Sequence, residues 1–182
     1  LLPATKYALE QSGNSSGQIP KVEKFLDEAL DEARNLSHSL ASGVLAKFGL
    51  LAAVSDLKDS IQSDHEIEIQ FSNNGLDQRI DSSIEIDIYR IIQELLSNSL
   101  KQGNASLIVI ELTLIDNQLQ LHYKDDGVGF KTEQEYEGIW LRNIEARAKK
   151  YNADFNLQGK VGKGTEFNLI LDILPDETIA AS

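Results

Sequence analysis

Between residues 84 and 101 the apolar positions recur at helical spacing. Ile84, Ile88, Ile91, Ile92, Leu95 and Leu96 fall on one side, the pattern of a helix lying on a sheet. The other side carries Asp87, Arg90, Glu94, Asn98 and Lys101. Glu94, Asn98 and Lys101 stand at i, i+4 and i+7, so at about 3.6 residues per turn they share one stripe. Such a stripe is most simply a solvated face, although Asn98 is a poor mid-helix residue that competes for the backbone.

Elsewhere the period drops to two. Ile67, Ile69 and Phe71 alternate as a strand, and Ile108, Ile110, Leu112 and Leu114 as a second. Asp116-Asn117 marks a turn into a third, Leu119-Gln120-Leu121-His122-Tyr123. Helical spacing returns over 141–151 and is followed by strands at 154–158 and 165–173, with Gly162-Lys163-Gly164 turning the last hairpin. A shorter helix is expected from Phe48 to Ile61. The fold class is therefore α+β, a layered sheet with helices covering one face.

Further upstream Val22, Leu26, Ala29, Ala33, Leu36 and Leu40 repeat in steps of 4, 3, 4, 3 and 4, an a/d pattern that Gly43 ends. Residues 1–10 read as the tail of another helix, joined to it by the polar loop QSGNSSGQIP (11–20). The pair forms an antiparallel hairpin, and two hairpins would build a dimeric four-helix bundle. The expected division is a partial helical hairpin over 1–45 and an α/β domain over 46–182.

Composition narrows the partners. The 182 residues, 41% hydrophobic, can bury one core with a helical appendage. A net charge of −12 disfavours nucleic acid and anionic membranes, and the lack of cysteine excludes disulfides and thiolate metal sites. No apolar run approaches the roughly 18 to 20 residues that span a bilayer, and no signal peptide is visible. The chain begins Leu-Leu-Pro and contains no Met, so it is expected to be a piece of a longer protein. Any membrane contact would come through segments upstream.

The candidate chemistry sits in KDDGVGF, residues 124–130. Asp-Gly is a strong turn signal, so the string alone is weak. It follows an alternating strand, however, and Asp125 would emerge where the sheet ends. A carboxylate there can accept a hydrogen bond from an adenine amino group, and an asparagine on a facing helix can offer its amide oxygen to Mg²⁺ between phosphates. Gly127 and Gly129 allow close approach to a ligand and positive φ. The two segments together point to an ATP site.

In that order the motifs resemble the ATP-binding domain of sensor histidine kinases, in the superfamily of gyrase, Hsp90 and MutL. QELLSNSLKQ (93–102) resembles the N box and DDGVGF (125–130) the first glycine box. GIWLRNIEARAKKY (138–151) resembles the second glycine box with its helix, and GKGTEFNLIL (162–171) the final Gly-Thr strand. Residues 26–57 resemble the second dimerisation helix and connector. The likeness covers nearly the whole chain and is nearest to the kinases that pair with helix-turn-helix response regulators.

The resemblance implies a histidine kinase/Hsp90-type sandwich that binds ATP and Mg²⁺. It implies that Asp125 accepts from the adenine amino group and that Gly127, Gly129 and Gly138 let the backbone approach the nucleotide. Asn98 would give an oxygen to Mg²⁺, Lys101 would pair with the phosphates, Glu94 would orient the reacting groups, and Thr165 would hold a water beside the base. The γ-phosphoryl would pass to a histidine and then to an aspartate of a response regulator, in a homodimer held by the hairpin. The domain would be cytoplasmic, in a protein anchored in the inner membrane through its upstream part.

None of the three histidines suits the phosphoacceptor: His38 is not followed by an acid, His65 opens a strand, and His122 lies inside one. The acceptor is expected just upstream of Leu1. The chain departs from the family pattern at Trp140, where Gly138-Ile139-Trp140-Leu141 stands for Gly-x-Gly-Leu, and at Gln102, where a histidine is common. Its lid, Lys131 to Glu137, is short and acidic. A degenerate nucleotide-binding or dimerisation module is thus one alternative, and a superfamily ATPase or anti-sigma serine kinase another.

The Val22–Leu40 seam should be buried against another helix, in a two-fold dimer or against the Leu1–Glu10 tail. A chain lengthened upstream by about twenty residues, enough to complete the first bundle helix, should scatter light as a dimer. A monomer would overturn the bundle.

Overall fold

The computed structural model describes residues 43–129 and 139–173. The hairpin over 1–45, His38, the lid and Gly138 lie outside them, except for the last residues of the hairpin range. From Val44 onward the described residues belong to one of the two units into which the chain divides.

The helix that Gly43 is expected to end lies outside the described residues. Residues 43–48 are helical, and a break falls at Gly49, where φ is 86°. Helix α1, Leu50–Asp64, follows and buries Leu50, Ala53 and Val54. A contact from thirty residues on braces the stretch before Gly49. The Arg79 guanidinium donates to the carbonyls of Leu45 (3.3 Å), which also accepts from Gly49 N (2.9 Å), and Ala46 (3.4 Å). Its other edge forks onto Glu85, with Nε at 2.8 Å and Nη2 at 2.6 Å. Glu85 is only 3% exposed.

The remaining elements run β1 Glu68–Asn74, α2 Ser82–Asn98, a π-helical turn Ser99–Gly103, β2 Leu107–Ile115, β3 Gln118–Asp125, α3 Ile139–Lys150, β4 Asp154–Gly159 and β5 Thr165–Asp172. The five strands form one sheet in the order β1-β2-β3-β5-β4. β1 and β2 are parallel and joined through α2, while every other pair is antiparallel. Asp116 and Asn117 turn β2 into β3 with φ of 52° and 62°, as a two-residue primed turn requires.

One sheet face is dry. Ile108, Ile110, Leu112, Leu119, Leu121, Tyr123, Phe167 and Leu169 are all buried on it. Partners on the other face are mostly polar, such as His122 and Asn168, whose side chains meet at 2.7 Å. Helix α2 supplies the apolar stripe expected of it, with Ile84, Ile88, Ile91, Ile92, Leu95 and Leu96 buried. Asp81 caps its start, accepting from Ser83 N at 2.8 Å and Ile84 N at 3.2 Å. This is the two-layer α/β arrangement the periodicity implied.

The polar side of α2 is not simply solvated. Asp87 is 7% exposed and accepts from Arg147 Nη1 (2.9 Å), Lys150 Nζ (2.9 Å) and Tyr151 OH (2.7 Å), the first two from α3 and the last from the residue just after it. Burial works to raise the Asp87 carboxyl, but the bonds from Tyr151, Lys150 and Arg147 outweigh it and hold it below its ordinary range. The charged form is thus favoured in the folded state. Its stabilisation is complete above the ordinary aspartate value of about 4 and is lost as pH falls through the lower folded value. Asp87→Asn should cost about 1–3 kcal/mol in urea unfolding at neutral pH, with the gap to wild type narrowing below about pH 4. A gap that ignores pH would show that the charge is not what ties α2 to α3.

Candidate functional site

Helix α2 delivers two of the expected residues and then changes pitch. Glu94 is half-buried, and its Oε1 lies 3.4 Å from Asn143 Nδ2 on α3. Asn98 is the last α-helical residue. Its Nδ2 is one of two buried side-chain polar atoms among the described residues that find no partner. From Ser99 to Gly103 the turn is π-helical and closes at Asn104 with φ of 44°. A wider turn rotates the chain by less than the roughly 100° per residue of an α-helix, so Lys101 leaves the stripe that joins Glu94 and Asn98. It is exposed.

The central strand β3 ends on Asp125, which is 4% exposed. Three donors from three segments meet its carboxylate. Oδ1 accepts from Gly127 N (2.9 Å) and Thr165 N (3.1 Å), and Oδ2 accepts from Ser99 Oγ (2.6 Å). A carboxylate offers about four lone-pair sites, so about one remains, on Oδ2.

Backbones crowd closely around this group. A Cβ on Gly164, at φ 79°, would stand 1.8 Å from the Asp125 carbonyl oxygen. One on Gly129, at φ 65°, would stand 2.2 Å from the carbonyl oxygen of Lys160. Of the two glycines in the loop after β3, only Gly129 takes a positive φ; Gly127 serves through its N–H.

Asp126, next in sequence, does different work. It accepts from Ser106 Oγ (2.6 Å), Ser106 N (2.7 Å) and Leu107 N (2.9 Å), fastening the loop to the start of β2. The Ser106 hydroxyl, and then the Leu107 N–H, hold its carboxyl below the usual range. On the β4–β5 side a cleft of about 530 Å³ opens beside Gly164 and Thr165, bordered by Lys124, Lys160 and Lys163. Glu94 and Asn98 do not line it.

The structure thus brings Asp125, Gly127, Gly129 and Thr165 together. It sets Asn98 next in chain to the serine that holds Asp125, and leaves Lys101 on an exposed turn. Sequence reasoning passed over Ser99, Tyr123, Asp126 and Gly164. Ser99 carried a signal: it stands i+7 from Ile92 and i+4 from Leu95, a hydroxyl on the apolar stripe. Asp126 carried none, since either acid of an Asp-Asp pair can be the inward one.

Residues 83–175 match the family model described as histidine kinase-, DNA gyrase B-, and HSP90-like ATPase. The oxygen sensor histidine kinase NreB of Staphylococcus carnosus is 30% identical over 155 residues, covering 84% of this chain and 45% of that protein. The sensor histidine kinase ComP of Bacillus subtilis is 28% identical over 159 residues, covering 86% and 21%. The chain therefore spans less than half the length of both. In fold it is similar to the histidine kinase domain of the Erythrobacter litoralis EL346 blue-light activated kinase, with a TM-score of 0.56, 20% identity, and 68% and 61% of the two chains covered. The matched segment takes in α2, the whole Asp125 site and the sheet from β2 to β5, and on it the chain belongs to the histidine kinase-, DNA gyrase B- and HSP90-like ATPase family.

Proposed function

We propose that this chain is the ATP-binding catalytic part of a two-component sensor histidine kinase. One observation carries the reading: a buried aspartate at the end of the central strand keeps an acceptor site free, in a chain of an ATPase family whose matched relatives are named sensor histidine kinases. Asp125 accepts the adenine amino group at Oδ2. Gly127, Gly129 and Gly138 admit the nucleotide close to the backbone, and Thr165 holds a water beside the base. Lys101 reaches the phosphates from its exposed turn, and Glu94 orients the reacting groups.

The residues fit a metal that arrives with its nucleotide. Among the described residues no cluster of three or more His, Cys, Asp or Glu could cage a cation. Mg²⁺ needs no such cage when phosphates and waters supply most of its oxygens. Asn98 would offer its amide oxygen, hard enough for the ion, while the unmet Nδ2 of the same amide is a donor for a phosphate oxygen. When bound, the ion neutralises charge on the phosphate oxygens during transfer.

The P–O bond to the leaving ADP breaks as a histidine nitrogen takes the γ-phosphoryl in line, and the chain contributes mainly position and charge. The phosphoryl then moves to an aspartate of a response regulator. The acceptor histidine lies upstream on the helical hairpin, which pairs two chains on the cytoplasmic side of the membrane. Trp140, half-buried in the first turn of α3, favours a second reading in which nucleotide binds but no transfer follows. Phosphorylation of a longer chain carrying the upstream histidine separates the two.

In calorimetry the protein should bind Mg-ATP far better than Mg-GTP, and Asp125→Asn should weaken ATP by about 1–3 kcal/mol. Equal affinity for the two nucleotides in the wild type would sink the assignment. Gly164→Ala should also weaken ADP binding, because its Cβ would collide with the Asp125 backbone. Gly162→Ala is the control: it shares the positive φ (72°) but has open space, so it should cost about 1 kcal/mol of stability and leave affinity unchanged. Equal loss of affinity in both variants would make strain, not crowding, the cause.

A further inference from the structure

Two buried hydroxyls stand behind Asp125, and their hydrogens can point only one way. Ser99 Oγ lies 2.6 Å from Asp125 Oδ2 and 2.7 Å from Tyr123 OH. The carboxylate can only accept, so the single Ser99 hydrogen goes to Asp125. The contact with Tyr123 must then run from the tyrosine to the serine. The result is a one-way chain from Tyr123 OH to Ser99 Oγ to Asp125 Oδ2. Ser99 is 4% exposed and Tyr123 fully buried. Burial, the largest influence, pushes the Tyr123 hydroxyl well above its ordinary value, so it stays protonated and a donor.

The two oxygens of Asp125 are held differently. Oδ1 is gripped by two backbone N–H groups, whereas Oδ2 has only the Ser99 hydroxyl. Ser99 therefore fixes where the remaining lone pair of Oδ2 points. Because its hydrogen is committed, and Tyr123 fills an acceptor position on it, the serine cannot turn round to donate to a ligand.

Resting on the adenine reading above, we infer that Tyr123 and Ser99 are positioning residues that make the Asp125 end of the site purely accepting, selecting 6-amino purines over 6-oxo purines. A 6-amino group finds an aimed acceptor. A 6-oxo group meets an acceptor and no donor, which leaves both sides unpaired.

The test compares ATP, inosine triphosphate and purine riboside triphosphate, which lacks a 6-substituent, each with Mg²⁺. Ser99→Ala alone would leave the Tyr123 hydroxyl without a partner, so the paired variant Ser99→Ala with Tyr123→Phe removes both groups together. Its preference for ATP over inosine triphosphate should fall about five- to tenfold, while affinity for the purine riboside triphosphate stays at the wild-type value. Should the paired variant not fold, Tyr123→Phe alone removes one oxygen and should lower the same ratio about threefold, since Ser99 is then free to turn. An unchanged ratio in a folded variant overturns the relay. A parallel loss for all three nucleotides also overturns it, because a merely structural role would act on each alike. The adenine reading fails separately, if the wild type itself does not distinguish ATP from inosine triphosphate.

Discussion

A carboxylate withdrawn from water at the end of the central strand must find its donors within the protein, and here they come from three places in the chain. Ser99 belongs to the turn after α2, Gly127 to the loop after β3, and Thr165 to the start of β5. No two of these are neighbours in sequence. The sheet brings the last two together and α2 carries the first across its dry face. An unmet carboxylate this deep would cost more than a hydrogen bond normally returns, so the three segments hold one another in place. The close backbone passage at Gly164 and Gly129 follows from the same need, because any side chain there would push the donors out of reach.

Asp87, on α2, and Asp125, at the end of β3, are both buried acids and have different characters. Asp87 accepts from two cations and a phenol, which makes it a fastener between α2 and the end of α3. Asp125 is met by neutral donors only and keeps a lone pair. Burial alone does not tell a structural acid from one that can take a ligand. Each accepts from three donors, and what separates them is the charge those donors bring.

The strands and the body of α2 were legible because each buries one face, so that periods of two and 3.6 print directly onto the sequence. The turn at Asp116-Asn117 and the acid at the strand end were legible too, being local chemistry. What escaped depends on partners far along the chain. The stretch before Gly49 is braced by Arg79, and the polar stripe at Asp87 is covered by residues sixty and more positions on. Lys101 left its stripe because the helix widens after Asn98, which a constant repeat cannot foresee. Ser99 was half legible, since its place among apolar positions marked it as inward without saying what it would meet.

Arg79 has a consequence of a mechanical kind. One planar group touches the last carbonyls of the 43–48 segment and, on its other edge, a nearly buried glutamate in the first turn of α2. The glycine at 49 gives the chain freedom to pivot between its two helical stretches, but the guanidinium spans that pivot like a pin. Swinging the segment about Gly49 means drawing the fork away from its carbonyls or pulling a charge off Glu85. Lysine, with one point of contact, would grip one side and release the other. The Arg79 fork therefore ties the stretch before Gly49 to the first turn of the helix that ends at Asn98.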